Sequence, residues 1–362
     1  MSIYRYLLAD LLTRQVNQEL SLYGVTAGKR LNKPGNCTFT IPLGTGVYFD
    51  QDIIDATYPG RTALFIERDS NLVWGGIVWS RTYQGQGHNL SFTGQTFESW
   101  AYEQLIETDL VFTNMDQREI LRQLFISMSA KPYTDIGILV QAGAYAGGIL
   151  RTVTFRAYEG WSYGKAIEYM LAYDLGFDYT LDVVYDTNNN PAIQMRCANV
   201  LGTPIDTTQV AFDYPGNIKN YWYPESAGSA VTTMLGFGAG EADAMVRSKY
   251  VNQKLLDAGY PSLQGTYNNK DIADPATLGN QTKAAALLAA VPITVPTFEV
   301  NPQLDPPFGS YSLGDYTKIH IVDPRFPGGK ELSTRILGWD IQPPVSDSTE
   351  GIKLIVSGQE SA

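Results

Sequence analysis

The sequence predicts an α+β, mainly β protein: two antiparallel β-barrel domains, an α+β domain between them, and helical insertions. Three observations carry this. Residues 60–95 read as three strands joined by turns at Asp69-Ser70-Asn71 and Gln84-Gly85-Gln86-Gly87, all residues that tolerate turn geometry. Apolar residues recur at helical spacing in the middle of the chain and in one later stretch. Strand-like segments return after Gln209. At 362 residues the chain exceeds the size at which a single core keeps growing, so several domains are expected.

Taken in order, residues 4–12 and 16–22 are expected strands, and Asn32-Lys33-Pro34-Gly35-Asn36 turns into a strand at 37–41. In the meander at 60–95, Leu90 and Phe92 alternate with Ser91 and Thr93, the pattern of a half-buried strand. At its centre lies Val73-Trp74-Gly75-Gly76-Ile77-Val78-Trp79, and glycines inside a strand mark a bulge or a close backbone approach. A short helix follows near 97–104. Asn114 is the expected cap of the next helix, with Asp116, Gln117 and Glu119 favouring its positive end. Its apolar stripe is Ile120, Leu121, Leu124, Phe125 and Met128, and Pro132 ends it. Another helix starts at Ser162, buries Ala166, Ile167, Met170 and Leu171, and ends near Gly176. Strands at 177–185 and 192–198 flank a polar turn over 186–190.

Beyond that, strands are expected at 209–214, 218–223 and 230–237. Asp274 caps a helix that opens on Pro275 and runs to Ala290. Further strands are expected at 293–300, 318–322, 332–341 and 352–356, with proline-rich loops between them. The resulting division is a β-barrel domain at 1–105, an α+β domain of two helices and a hairpin at 106–205, and a second β-barrel domain at 206–362 with a helical insertion over about 241–291.

Apolar residues make up 44% of the chain, enough for buried cores, and charged residues only 17%. The net charge of −11 disfavours a role in gripping nucleic acid, whose phosphates it repels, while suiting a surface past which DNA slides. Asp10 interrupts the start before a signal-peptide core can form. The longest apolar run, 284–291, is far short of the roughly 20 residues a membrane span needs. Cys37 and Cys197 read as free buried thiols.

Motifs with catalytic potential each have a simpler structural reading. The two histidines, His88 and His320, sit in a glycine-rich turn and a strand, with no Gly-x-Ser-x-Gly elbow and no His-Glu-x-x-His helix to accompany them. Ser162 to Lys165 matches Ser-x-x-Lys but lacks the supporting Lys-Thr-Gly, so Ser162 is expected to be a helix cap. Asp186 to Asn190 begins like a calcium loop, but Pro191 stands where glycine is needed and the twelfth-position glutamate is missing. Gly236, Gly238 and Gly240 do not put the third glycine at its proper place, Glu241, and lack the strand-helix-strand setting of a dinucleotide site. A carboxylate pair for glycoside hydrolysis is not singled out among the 37 acidic residues. Trp74, Trp79, Tyr83 and Trp100 could form a sugar-stacking platform; core and subunit interface are the favoured reading. Accordingly no catalytic, cofactor-binding or metal-binding residues are assigned, and no cofactor is expected.

Several strings go further than fold class. YRYLLADLLTRQVNQELSLYGV, LNKPGNCTFTIPL and GRTALFIERDSNLVWGGIVWSRTY, with GWSYGKAIEYMLAYDLGFDYTLD and LGDYTKIHIVDPRFPGGKELSTRILGWDI later on, resemble the minor tail proteins of long-tailed actinobacterial phages that form the baseplate or tail-tip hub. The resemblance spans residues 3 to about 358. It implies tail-tube-like barrels in a homotrimer whose ring, pseudo-sixfold in symmetry, closes the end of the tail tube. It further implies a distal tail protein ring, a tape-measure protein and other tail-tip proteins as partners, with genome DNA passing through unbound, and a location at the virion tail tip. The C-terminal peptidoglycan-cleaving or fibre domain of some relatives is not expected, because the chain ends soon after its last predicted strand. The resemblance thus implies a structural, non-enzymatic protein; the alternatives are a module that binds host envelope or carbohydrate and, further off, a cell-wall hydrolase. On this reading Gly75 and Gly76 let the sheet curve and matter for ring assembly.

Overall fold

The computed structural model describes residues 2–46, 49–173, 175–224, 230–270, 272–289, 296–345 and 349–357. The first strands are β1 (Tyr4–Asp10), β2 (Val16–Glu19), β3 (Tyr23–Arg30) and β4 (Asn36–Pro42), followed by helix α1 (Asp50–Ala56). The meander is β5 (Thr62–Arg68), β6 (Asn71–Gln84) and β7 (Asn89–Thr96), and a short 3₁₀ helix covers Phe97–Tyr102. Then come β8 (Leu110–Asp116), α2 (Gln117–Ser129), β9 (Ile138–Leu139), β10 (Leu150–Phe155), α3 (Tyr163–Leu171), β11 (Asp178–Tyr185) and β12 (Pro191–Ala198). The later elements are β13 (Ala211–Tyr214), β14 (Ile218–Trp222), β15 (Thr233–Phe237), β16 (Arg247–Val251), α4 (Gln253–Asp257), β17 (Gln264–Asn268), α5 (Pro275–Leu288), β18 (Thr297–Val300), β19 (Tyr316–Asp323), β20 (Phe326–Gln342) and β21 (Gly351–Val356). The expected helix end at Ala290 and strand start at Ile293 lie outside the described residues.

The fold is mainly β with helices set into it, as the sequence predicts. The main sheet follows the order β14-β18-β21-β20-β3-β4-β7-β6-β5-β1-β2, with β19 and β13 attached beside β20, and does not close into a barrel. The length of β20 explains why: its first half pairs with β19, from Asp323↔Phe326 to Tyr316↔Arg335, and its second half with β3, from Gly338↔Arg30 to Ile341↔Ala27. Strands from the two expected barrels are thereby stitched into one sheet. Two compact units result, one of Met1–Asn220 with Phe298–Ile355, the other of Tyr221–Thr297 with Val356–Ala362.

In the first unit the meander forms as its turns dictate. Asp69 and Ser70 both adopt left-handed backbone, at φ 49° and 65°, the two-residue turn whose twist matches a hairpin. Between Val78 and Ser80 the β6–β7 register shifts, so Trp79 sits at a bulge. One face of β1, β5 and β6 (Leu7, Ala9, Ala63, Phe65 and Ile77) shares a core with α2, α3 and the β11–β12 hairpin. Gly75 lies on that face. A Cβ there would stand 2.5 Å from Val183 Cγ1 and 2.9 Å from Phe97 Cε2, so the bare backbone is what lets the hairpin close on the sheet. At Gly76 the obstacle is the neighbouring strand, with Gln95 O 2.2 Å from an ideal Cβ.

Helix α2 begins two residues later than expected. Asp116, not Asn114, is its cap and accepts the Arg118 amide at 2.9 Å. Asn114 remains in β8, with its amide donating to Thr152 Oγ1 of β10, so strand pairing overrides its capping preference. Ser162 caps α3 as predicted, accepting the Lys165 amide at 3.2 Å.

The second unit holds β15 flanked by antiparallel β16 and parallel β17, with α5 on top. Asp274 caps α5 by accepting the Thr277 amide at 2.7 Å, and Pro275 fills its first turn. Gly236 makes room for that helix, since a Cβ would fall 2.0 Å from Thr282 Oγ1.

Gly75→Ala is expected to cost about 1–3 kcal/mol, because the methyl must displace Val183 and Phe97. Gly76→Ala should cost more, since a backbone carbonyl blocks it. Gly328→Ala, at an open position in β20, should stay within about 0.5 kcal/mol of wild type. Urea denaturation of the three variants checks the order.

Candidate functional site

The aromatic residues singled out in the sequence do not form one platform. Trp74 is 1% exposed and donates from Nε1 to the Gly28 carbonyl at 2.9 Å, so its face cannot stack on a sugar. Trp79 and Trp100 stack with centroids 6.5 Å apart, their indole nitrogens committed to Ser99 Oγ and the Thr134 carbonyl. Tyr83 stands apart near the tip of the β6–β7 hairpin, bonded to His88 Nδ1 at 2.8 Å. His320 faces Asp213 at 3.7 Å with both side chains exposed.

Other candidate motifs serve the backbone. The Asp186 carboxylate accepts the Asn188 and Asn190 amides, each at 2.8 Å, and closes its hairpin turn. Among the described residues no group of three His, Cys, Asp or Glu is placed to hold a metal ion. Gly236 sits within a strand, and the helix packed over it arrives only after β16 and β17, unlike a dinucleotide turn. Burial raises both thiols, Cys197 to about 12.

What the first unit does assemble is a set of charged fasteners between chain-distant segments. Arg68 of β5 pairs with Glu350, with Nε–Oε1 at 2.6 Å and Nη2–Oε2 at 3.0 Å, and its guanidinium lies 5.5 Å from the Phe308 ring centroid. The Tyr4 hydroxyl donates to the same carboxylate. Burial would raise the Glu350 carboxyl; Arg68 and Tyr4 outweigh it and hold the group below its ordinary range. A second fastener joins Lys29 of β3 and Arg196 of β12 through Asp182 of β11. In a third, Asp178 accepts from Arg335 of β20, from Asn32 Nδ2 at 2.8 Å and from the Leu201 amide at 3.0 Å. A fourth runs from Tyr185 to Glu67 and on to Arg5, which also pairs with Glu19 at 2.8 Å.

Glu98 is the exception to this pairing. It is fully buried; Oε1 accepts the Leu181 amide at 2.8 Å while Oε2 has no partner among the described residues. Burial raises its pKa, against the opposing pull of Lys29. None of these residues stood out in the sequence. Their carboxylates and cations lie scattered along the chain, and only the fold brings them together.

This extended sheet, locked by ion pairs and with helices set into one face, has the fold of phage tail proteins. The tail protein from Neisseria meningitidis MC58 superposes with a TM-score of 0.59 at 11% identity, covering 99% of this chain and 97% of the other. The prophage MuSo2 tail protein from Shewanella oneidensis gives 0.59 at 10% identity, covering 98% of each chain. A chain of the Francisella PdpA–VgrG complex gives 0.54 at 8% identity and covers 99% of this chain and 53% of its own. No protein-family model and no curated protein matches the sequence.

Removing one partner of the Arg68–Glu350 pair leaves a buried charge, so Arg68→Met or Glu350→Gln should each cost about 3–5 kcal/mol by denaturant titration. Because the folded-state pKa of Glu350 is lowered, the pair's contribution is present near neutrality and lost as pH falls through that lowered value. Glu98 has the opposite sign. Its folded pKa is raised, so it costs stability as pH rises above the unfolded value of about 4.3. Glu98→Gln should therefore raise the melting temperature at pH 7, with the gain vanishing below about pH 4.

Proposed function

We propose that this chain is a structural hub protein of a phage baseplate or tail tip, assembling as a homotrimeric ring that closes the tail-tube end and lets DNA pass on infection. The observation that carries this reading is the two-way, near-complete superposition on phage tail proteins, 99% of this chain against 97% of the Neisseria protein. A likeness confined to one module would match only a fragment; here the match runs nearly the full length of both chains. The net charge of −11 supports a conduit that repels its cargo. The residues with catalytic potential in the sequence support a non-enzymatic role, since Ser162 and Asp186 are spent on a cap and a turn.

In this proposal residues 1–105 and 206–362 supply the ring, 106–205 the part set between them, and the partners are a distal tail protein ring, a tape-measure protein and other tail-tip proteins. The protein would reside at the tail tip of the virion. No helix among the described residues is long and apolar enough to cross a membrane. Apolar surface remains for subunit contact: Tyr133 and Tyr158 are 86% and 85% exposed.

Mass photometry of the purified chain is expected to give a species of three times the 39.9 kDa monomer, and cryo-electron microscopy a threefold ring around a pore. A monomer at micromolar concentration, alone and with tail-tip partners, overturns the hub.

A further inference from the structure

In the second unit α5 covers one face of the β16–β15–β17 sheet. Gly236 and Ser248 meet Thr282 of that helix, Lys283 Nζ lies 6.0 Å from the Tyr250 ring centroid, and the Tyr267 hydroxyl donates to Gln281. Side chains alternate across a sheet, so the residues between these point the other way. The register sets them in ranks: Val251–Thr233–Gln264, Lys249–Leu235–Thr266 and Arg247–Phe237–Asn268. A sheet covered on one side ordinarily turns polar residues to the water on its other side. Here the central strand turns out Leu235 and Phe237, both half-buried, beside an exposed Val251. One flank of this stripe is cationic; the other, Gln264, Thr266 and Asn268, is neutral and exposed. No position in the ranks holds a carboxylate. Arg247 gives one N–H to the Ala242 carbonyl at 3.1 Å, and among the described residues neither it nor Lys249 has a carboxylate within 4.0 Å. In a chain of net charge −11, neighbouring cations without acidic partners beside an apolar stripe make a surface complementary to an acidic one.

We propose that the open face of this sheet docks an acidic segment of another protein, its carboxylates on Arg247 and Lys249 and an aliphatic or aromatic side chain on Leu235 and Phe237. The two cations stand two residues apart on one side of β16, about 7 Å along the strand, a spacing that two carboxylates of one segment match. Gln264, Thr266 and Asn268 supply amide and hydroxyl groups for the backbone of the segment. A nucleic acid suits the face less well. Phosphate binding draws on many cations at once, and a pair of them on an acidic chain holds it weakly. Docking of this kind is independent of ring assembly.

The full-length protein is titrated by calorimetry with a terminally blocked peptide, Asp-Glu-Leu-Phe-Glu-Asp, with its counterpart in which lysine replaces every acid, and with a short thymidylate single strand. The acidic peptide is expected to bind saturably at sub-millimolar concentration, less tightly as chloride is raised, and the lysine counterpart not to bind. Arg247→Glu combined with Lys249→Glu should weaken the acidic peptide by about tenfold or more. Both side chains are exposed, so the doubly substituted chain keeps its fold, which circular dichroism verifies. Phe237→Thr keeps a strand-forming residue and should weaken the peptide by about threefold or more with the melting temperature unchanged. A fall in melting temperature with peptide affinity intact would make Phe237 a packing residue and overturns the proposal. So does the absence of saturable binding by the acidic peptide, wild-type affinity in both variants, or tighter binding of the thymidylate strand. Self-association that the charge-reversed chain loses, with no binding of the peptide, assigns the face to a second copy and overturns it too.

Discussion

Close packing around Gly28, at the seam between β3 and β20, is the constraint on which the remaining structure depends. Residues Ala27 to Arg30 of β3 pair with Gly338 to Ile341 of β20, and Gly28 lies opposite Asp340. An ideal Cβ on Gly28 would sit 2.2 Å from Asp340 Oδ1, and one on Gly35 would sit 2.0 Å from the Gly28 carbonyl. That carbonyl also accepts the indole N–H of Trp74, the largest fully buried side chain. Backbone alone blocks a side chain at Gly35, whereas at Gly28 the space is taken by the Asp340 carboxylate and the Arg30 guanidinium. Neighbouring Lys29 and Arg30 carry the seam outward into ion pairs with Asp182 and Asp340.

The charged fasteners extend the same logic to the rest of the unit. Burying an ion pair gains little net stability over an apolar pair of the same shape, but it penalises every arrangement that leaves a partner alone. Arg68–Glu350, Lys29–Asp182 and Asp178–Arg335 each join residues that are remote in sequence, so together they select one register for strands that would otherwise slide. Glu98 stands against this pattern, a buried carboxyl with one oxygen unpartnered among the described residues.

Much of the fold was legible from local chemistry. The β5–β6–β7 meander follows from the Asp69-Ser70 turn and the alternation in β7, and α3 and α5 follow from their caps at Ser162 and Asp274. What escaped sequence reading depends on distant partners. Strand β3, Tyr-Gly-Val-Thr-Ala-Gly-Lys-Arg, looks too polar and too rich in glycine for a buried strand; its Gly28 answers to Asp340 and its Lys29 to Asp182. Strand β8 retained Asn114 because β10 lies beside it. The linking of two presumptive barrels through β20 is a matter of strand order, which composition does not encode.

The β3–β20 seam also sets the order in which the protein can be made. Ribosomes release the chain from its N-terminus, and β3 emerges long before residues 338–341 exist. Until they do, one edge of β3 is an unpaired row of amides and carbonyls, open to any passing strand. Pairings of such long range close slowly, because the loop entropy must be met before the contacts form. Translation speed and chaperone supply thus bear on the yield of this protein, and a nascent chain stalled before β20 is the species most prone to aggregate.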